Sequence, residues 1–175
     1  MSKTGSPKWH EPVLVEEVLS FLSPKPGVLI CDATCGTGGH AEAILEKGAE
    51  LVGLDKDPRA PELARRRLAR FGDRVRLIHA DFRDLRAALA RLGIKEVQGI
   101  LFDLGVSSLQ LDSPTRGFSF REEAPLDMRM DPSQPLRAAE LVNRLPEGEL
   151  ARILWEYGEE RYARRIARAI VRARD

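Results

Sequence analysis

Four short, continuously apolar runs alternating with segments of helical periodicity constrain this chain more than any other feature. The runs are 28–33, 50–54, 75–79 and 98–103, and the amphipathic segments between them are 40–47, 58–71 and 83–92. Alternation of this kind specifies a parallel sheet covered by helices, and runs without a polar face belong to strands buried on both sides. A further helical segment, 11–22, precedes the first run and is ended by Pro24, Pro26 and Gly27. After Asp103 the pattern changes. Residues 105–135 lack periodicity, and a loop of that length is commonly functional or disordered. Helical segments then follow at 136–143, 147–156 and 159–174. The last runs to Arg174-Asp175 without a stop signal and ends on an acid that opposes the helix dipole, which predicts that the natural protein continues beyond residue 175.

The turn after the first run, Cys31-Asp-Ala-Thr-Cys-Gly-Thr-Gly-Gly-His40, joins a strand to a helix. Glycines at such a turn let a ligand approach bare backbone, and the helix start offers unpaired N–H groups. Gly36-x-Gly38-x-x-Ala41 satisfies the loose dinucleotide fingerprint, with Asp55 about 20 residues onward to grip a ribose. NAD is therefore one candidate. Asp32, at the strand tip, favours another. A carboxylate there suits the cationic amino-acid end of S-adenosylmethionine and is awkward against a pyrophosphate. Asp81-Phe82 follows the third run and has the chemistry of an adenine site, an acceptor for the exocyclic amine beside a ring wall. The same two residues also read as a helix N-cap and ordinary core. Asp103 ends the fourth run. In doubly wound sheets ligands sit beyond the carboxyl ends of the strands, which brings Asp103 beside the reacting methyl. A carboxylate accepting the N–H bonds of an exocyclic amine aligns that nitrogen for in-line displacement, with no metal required.

Bulk properties exclude several classes. The chain is 175 residues, 43% hydrophobic and 31% charged, with a net charge of +1. This is the profile of one soluble globular domain. No apolar stretch approaches the roughly 20 residues of a membrane span, and Met1 to Trp9 lacks a signal-peptide core, so a cytoplasmic location is expected. Cys31 and Cys35 are the only cysteines, too few for a zinc site, and read as small apolar fillers. Of the 28 basic residues 22 are Arg, grouped at 65–76 and 161–174, and both groups are candidate phosphate contacts.

Several motifs taken together resemble the MraW/RsmH family. They are His10-x-Pro12-Val13-Leu14, the turn 32–40, Asp103-Leu-Gly-Val-Ser-Ser-x-Gln110-Leu-Asp112, Arg116-Gly-Phe-Ser-Phe120, Pro125-Leu-Asp-Met-Arg-Met-Asp131, and Tyr157-Gly-Glu-Glu-Arg161 leading into Arg165-Ile-Ala-Arg-Ala-Ile170. The resemblance implies S-adenosylmethionine-dependent methylation of the N4 amine of a cytidine in the decoding region of 16S ribosomal RNA, free or in the small subunit. It implies a Rossmann-like α/β fold of the class I methyltransferase kind, with a helical insertion after the fourth strand and the remaining strands of the sheet missing from these residues. It also implies that Gly38, Gly39, His40, Asp55, Phe82, Asp103 and Gln110 contact the cofactor. Residues 1–111 are then the cofactor-binding core, and 112–175 the substrate loop and the start of the insertion. In that loop Phe118 and Phe120 are candidates either to stack on a displaced base or to anchor the loop to the core, and Arg116, Arg121 and Arg129 to hold phosphates. The last helix is expected to set Arg161, Arg165, Arg168 and Arg172 on one side and Tyr162, Ile166, Ala169 and Ile170 on the apolar side. The rival functions are an NAD-dependent oxidoreductase and a non-catalytic RNA-binding module.

Overall fold

The computed structural model describes residues 12–121 and 123–174; the segment Met1–Trp9, His10 and Glu11 of the first motif, and Asp175 lie outside the described residues. The chain divides into two compact units, Met1–Ser108 and Leu109–Asp175.

The first unit is a Rossmann-like α/β layer structure. Strands β1 (Leu29–Asp32), β2 (Glu50–Asp55), β3 (Val75–His79) and β4 (Gly99–Leu101) form one parallel sheet in the order β3-β2-β1-β4. Asp32 pairs with Gly53 on one side and with Leu101 on the other. The direction of winding therefore reverses between β1 and β4, and the carboxyl ends of these two strands flank the switch. Helices α1 (Val15–Leu22), α2 (Gly39–Glu46), α3 (Arg59–Leu68) and α4 (Leu85–Arg91) cover the sheet. Side chains alternate across a strand. Ile30 and Leu51 accordingly pack with Ile44, Leu45, Ala64 and Leu68 of α2 and α3, while Cys31, Val52 and Leu54 pack with Ala88 of α4.

The expected burial on both faces holds for β1 and β2, which are central. The outer strands β3 and β4 are only half-buried, since each has one neighbour in the sheet. Three boundaries also differ from the sequence reading. The first helix begins at Val15. The segment expected as a helix over 58–71 is helical only to Leu68 and then tightens into 3-10 geometry over Ala69–Arg74, where Gly72 takes a φ of +55°. The fourth strand stops at Leu101, short of 103. Beyond Asp32 its partner β1 has already entered the glycine turn, and the Asp103 N–H goes to Thr34 Oγ1 at 2.7 Å.

The Arg-rich segment 65–76 is largely spent inside the unit, not offered to phosphate. Arg67 donates to Glu42 at 2.8 Å, Arg70 to Glu42 at 3.0 Å, and Arg74 to the carbonyl of Leu45 at 2.9 Å. These contacts fasten α3 and the turn after it to α2.

The second unit holds most of the short helix α5 (Ser108–Leu111), then α6 (Ala138–Arg144), α7 (Glu147–Glu156) and α8 (Ala163–Arg172). The segment 112–131 is stapled by its own side chains. Buried Arg116 donates to the carbonyls of Arg129 and Met130 at 2.8 and 2.6 Å. Arg129 pairs with Asp127 at 2.7 Å and donates to the carbonyls of Pro132 and Gln134. Two of the three arginines expected to hold phosphates thus order the loop; Arg121 is exposed. Phe118 is half-buried, whereas Phe120 is 100% exposed and anchors nothing.

The last helix starts at Ala163, four residues later than expected, because Glu159 adopts a left-handed φ of +50° and the Glu160 carboxylate accepts the Tyr162 N–H. Arg161 therefore precedes the helix. Its inward stripe is Ala163 and Ala167 with half-buried Ile166 and Ile170, while Tyr162 and Ala169 face outward. Arg174 closes the end of α8 by donating to the carbonyls of Val142 and Leu145.

Candidate functional site

The carboxyl edge of the sheet gathers the residues singled out in the first unit. Asp32 ends β1 and is buried, with Oδ1 accepting the Thr34 N–H at 3.1 Å. Gly36 and Gly38 then take positive φ values of +53° and +86°, a region that favours glycine, and this delivers the chain into α2 at Gly39. A Cβ at Gly39 would stand 3.1 Å from Pro12, a tight approach that the proline would have to ease by a few tenths of an ångström.

Asp55, at the end of β2, holds this turn in place. Its Oδ2 accepts the Gly36 N–H at 2.7 Å and its Oδ1 accepts the Asp57 N–H at 2.8 Å. Each oxygen keeps a second lone pair for a ligand hydroxyl. The sequence suggested only the ribose role, and the tie to the glycine turn is an addition from the structure. Another is Gly53. A Cβ at this position would lie 2.7 Å from Leu77 and 2.8 Å from Cys35 Sγ, so the bare backbone of β2 is what lets the glycine turn pack against the sheet. Cys35 and Cys31 are buried free thiols, and burial pushes Cys31 up to about 12, in keeping with a packing role.

Asp81 accepts the Arg83 N–H at 2.9 Å, capping the short 3-10 turn Phe82–Asp84, and pairs with Lys56 at 2.9 Å and with the Arg83 guanidinium. The Arg83 hydrogen bonds and the Lys56 charge hold it well below the usual carboxylate range. Phe82 is 39% exposed and meets Phe102 edge to face, ring centroids 5.7 Å apart; Phe102 is 46% exposed. Phe102 lies inside an apolar run, so nothing in the sequence separated it from core.

Asp103 is half-exposed and follows β4, fixed through its own N–H by Thr34. His40, buried at the start of α2, places Nε2 2.7 Å from the Val13 carbonyl. A carbonyl only accepts, so Nε2 carries the hydrogen, and Nδ1 faces Asp103 Oδ2 at 3.9 Å. Gln110 belongs to the second unit and is buried there on α5.

Electrostatically the edge is anionic. Burial, then the neighbouring charges of Asp55 and Asp103, raise Asp32 to about 7 against the opposing Thr34 hydrogen bond. Burial also raises Asp55. Among the described residues no lysine or arginine pairs with Asp32 or Asp55, and none forms part of a group of three or more metal-ligating side chains suited to an ion. A cationic ligand relieves this arrangement, whereas a pyrophosphate is repelled by it. The donor set therefore fits an adenosyl sulfonium: a carboxylate for its ammonium, one for its ribose, and two exposed rings for its base.

The chain is similar in sequence to proteins named as ribosomal RNA methyltransferases. The chain is 58% identical over 168 residues to the ribosomal RNA small subunit methyltransferase H of Syntrophotalea carbinolica, covering 94% of this chain and 54% of the relative. The namesake from Heliobacterium mobile is 54% identical over 169 residues, with the same coverage. That from Mycobacterium avium is 52% identical over 178 residues, covering 94% of this chain and 46% of the relative. The chain thus spans about half the length of the curated relatives it matches. Among solved structures, a SAM-dependent O-methyltransferase from Thermotoga maritima is similar over 43% of this chain and 31% of its own, at 20% identity and a TM-score of 0.38. The sequence profile of the MraW methylase family matches residues 8–175, and the chain belongs to that family.

Proposed function

We propose that the protein transfers the methyl group of S-adenosylmethionine to the N4 amine of a cytidine in the decoding region of 16S ribosomal RNA. It would act in the cytoplasm on that RNA or on the small ribosomal subunit. One observation carries the reading: three carboxylates, Asp32, Asp55 and Asp103, converge on a glycine turn where, among the described residues, no lysine or arginine neutralises Asp32 or Asp55. The relatives' names support the RNA substrate.

The bound cofactor supplies a methyl already activated on a positively charged sulfur. Asp32 offsets the ammonium of its amino-acid end, and Asp55 accepts from the ribose hydroxyls while keeping Gly36 in place. Gly36, Gly38 and Gly39 leave backbone open to the cofactor, Phe82 walls its adenine, and Asp81 holds the turn that carries Phe82. His40 completes the binding set of the first unit. Asp103 is the catalytic residue. Its carboxylate accepts the N–H bonds of the attacking amine, draws the nitrogen lone pair out of conjugation with the base, and takes the proton that the methylated amine releases.

Mass spectrometry of 16S ribosomal RNA tests the reading. Cells lacking the protein should lack one methyl on a decoding-region cytidine; the wild-type gene should restore it and Asp103→Ala should not. Asp103→Ala should fold normally, because the structural bond at this position is made by the backbone. An unchanged methylation pattern in the deletion strain would falsify the function, and full rescue by Asp103→Ala would remove Asp103 from the chemistry.

A further inference from the structure

The second unit contains a recess that the proposed chemistry leaves unused. It lies between α7 and α8, measures about 830 Å3, and is lined by Arg152 and Trp155 of α7, Arg161 and Tyr162 of the connecting turn, and Arg164 and Arg165 of α8. Helix packing explains its shape. The inner face of α8 is built on the small residues Ala163 and Ala167, so the helices approach closely and the bulky side chains are left at the mouth. Trp155 is 61% exposed and Tyr162 66%. Scattered exposed apolar side chains are ordinary; two large rings beside uncompensated guanidinium groups are a specific combination. Arg152 is held by Glu149 and Glu156 at 3.0 and 2.8 Å, and the lining acid Glu147 is engaged by Arg168 at 3.4 Å. Among the described residues Arg161, Arg164 and Arg165 make no ion pair. This is the reverse of the 65–76 segment, where Glu42 takes up Arg67 and Arg70.

We propose that the α7–α8 recess is a docking surface for single-stranded RNA, its bases stacking on Trp155 and Tyr162 and its phosphates meeting Arg161, Arg164 and Arg165. The inference rests on the reading of the protein as acting on RNA and adds where that RNA is gripped. An acidic peptide would use the arginines and leave the rings idle. A duplex keeps its bases stacked on one another and would likewise meet only the arginines. Unpaired nucleotides use both, since every base has a face to stack and every linkage a charge.

The chain contains two tryptophans, so a Trp9→Phe background leaves Trp155 as the sole reporter. A single-stranded oligouridylate should quench its fluorescence, and an RNA duplex of equal length should do so far less. Trp155→Ala, followed by fluorescence anisotropy of labelled oligouridylate, should weaken binding by about 5- to 150-fold, with Trp155→Phe retaining most of the affinity. The triple change Arg161→Ala, Arg164→Ala, Arg165→Ala should lower the slope of log affinity against log salt by about 2, at roughly 0.7 per single-strand phosphate contact. These side chains are exposed, so the variants should keep the wild-type melting temperature. Duplex bound as tightly as single strand, or a salt slope unchanged in the triple variant, overturns the proposal. So does a triple variant that changes sedimentation while RNA affinity stays constant, which would mark the recess as an interface between copies of the chain. Failure here with cellular 16S methylation still dependent on the protein strikes the recess alone; lost dependence with RNA binding intact strikes the methyl-transfer reading alone.

Discussion

Asp32→Asn should make the protein more stable and its cofactor binding weaker. In the folded chain burial and the charges of Asp55 and Asp103 raise Asp32 from 3.8 to about 7. Because the folded value lies above the unfolded one, folding favours the protonated acid. The contribution of this residue to stability is fully present below about pH 4 and is lost as pH rises through 7. At about 1.4 kcal/mol per pH unit, the rise corresponds to about 4 kcal/mol that the wild type gives up between pH 4 and pH 8. Asparagine carries no charge at any of these values, and its Oδ1 can still accept the Thr34 N–H. Urea denaturation followed by circular dichroism at pH 5, 6, 7 and 8 isolates the effect as a difference between variant and wild type. Carboxylates that do not interact with Asp32, such as Asp127, which Arg129 pulls down to about 2, cancel in that difference. The variant should gain steadily with pH, by up to about 4 kcal/mol at pH 8. In parallel, calorimetry should show its affinity for S-adenosylmethionine reduced, since the carboxylate facing the ammonium is gone. A difference curve flat from pH 5 to 8, or a variant less stable than wild type at pH 8, would refute the account of Asp32 as a buried acid held at the site against folding.

Three further substitutions probe the frame around it. Thr34→Val removes the acceptor of the Asp103 N–H; kcat should fall about tenfold with KM little changed, and Thr34→Ser should restore it, as steady-state kinetics would show. Gly53→Ala forces a methyl against Leu77 and Cys35 and should cost about 1–3 kcal/mol in thermal denaturation. Asp55→Asn leaves one acceptor oxygen facing two backbone N–H groups; it should lose about 1–3 kcal/mol of stability, and equilibrium dialysis should show weaker cofactor retention.

The sheet and its order of elements were legible because period and composition act locally: Leu51-Val52-Gly53-Leu54 has no polar face, and all four residues are buried in β2. Asp32, Asp55 and Asp103 were legible as a group because strand ends in a parallel sheet converge. What escaped depends on partners distant in sequence. Nothing about Arg116 announces that it will be buried under the carbonyls of residues 129 and 130. Arg67 and Arg70 look free until α3 is laid against Glu42 of α2. Phe102 directly follows the strand residues Gly99–Leu101 in the same run, and only the early end of β4 releases its ring toward Phe82. The start of α8 turned on one left-handed residue, Glu159, a conformation that propensity assigns to glycine or asparagine.

The double use of the Asp55 carboxylate bears on binding kinetics. Because the glycine turn is tethered to the neighbouring strand through Gly36 before any ligand arrives, the entropy of ordering that backbone is surrendered during folding and not at the encounter. Association can then proceed at rates typical of a rigid cleft, and variation in affinity among cofactor analogues should be expressed chiefly in how slowly they leave.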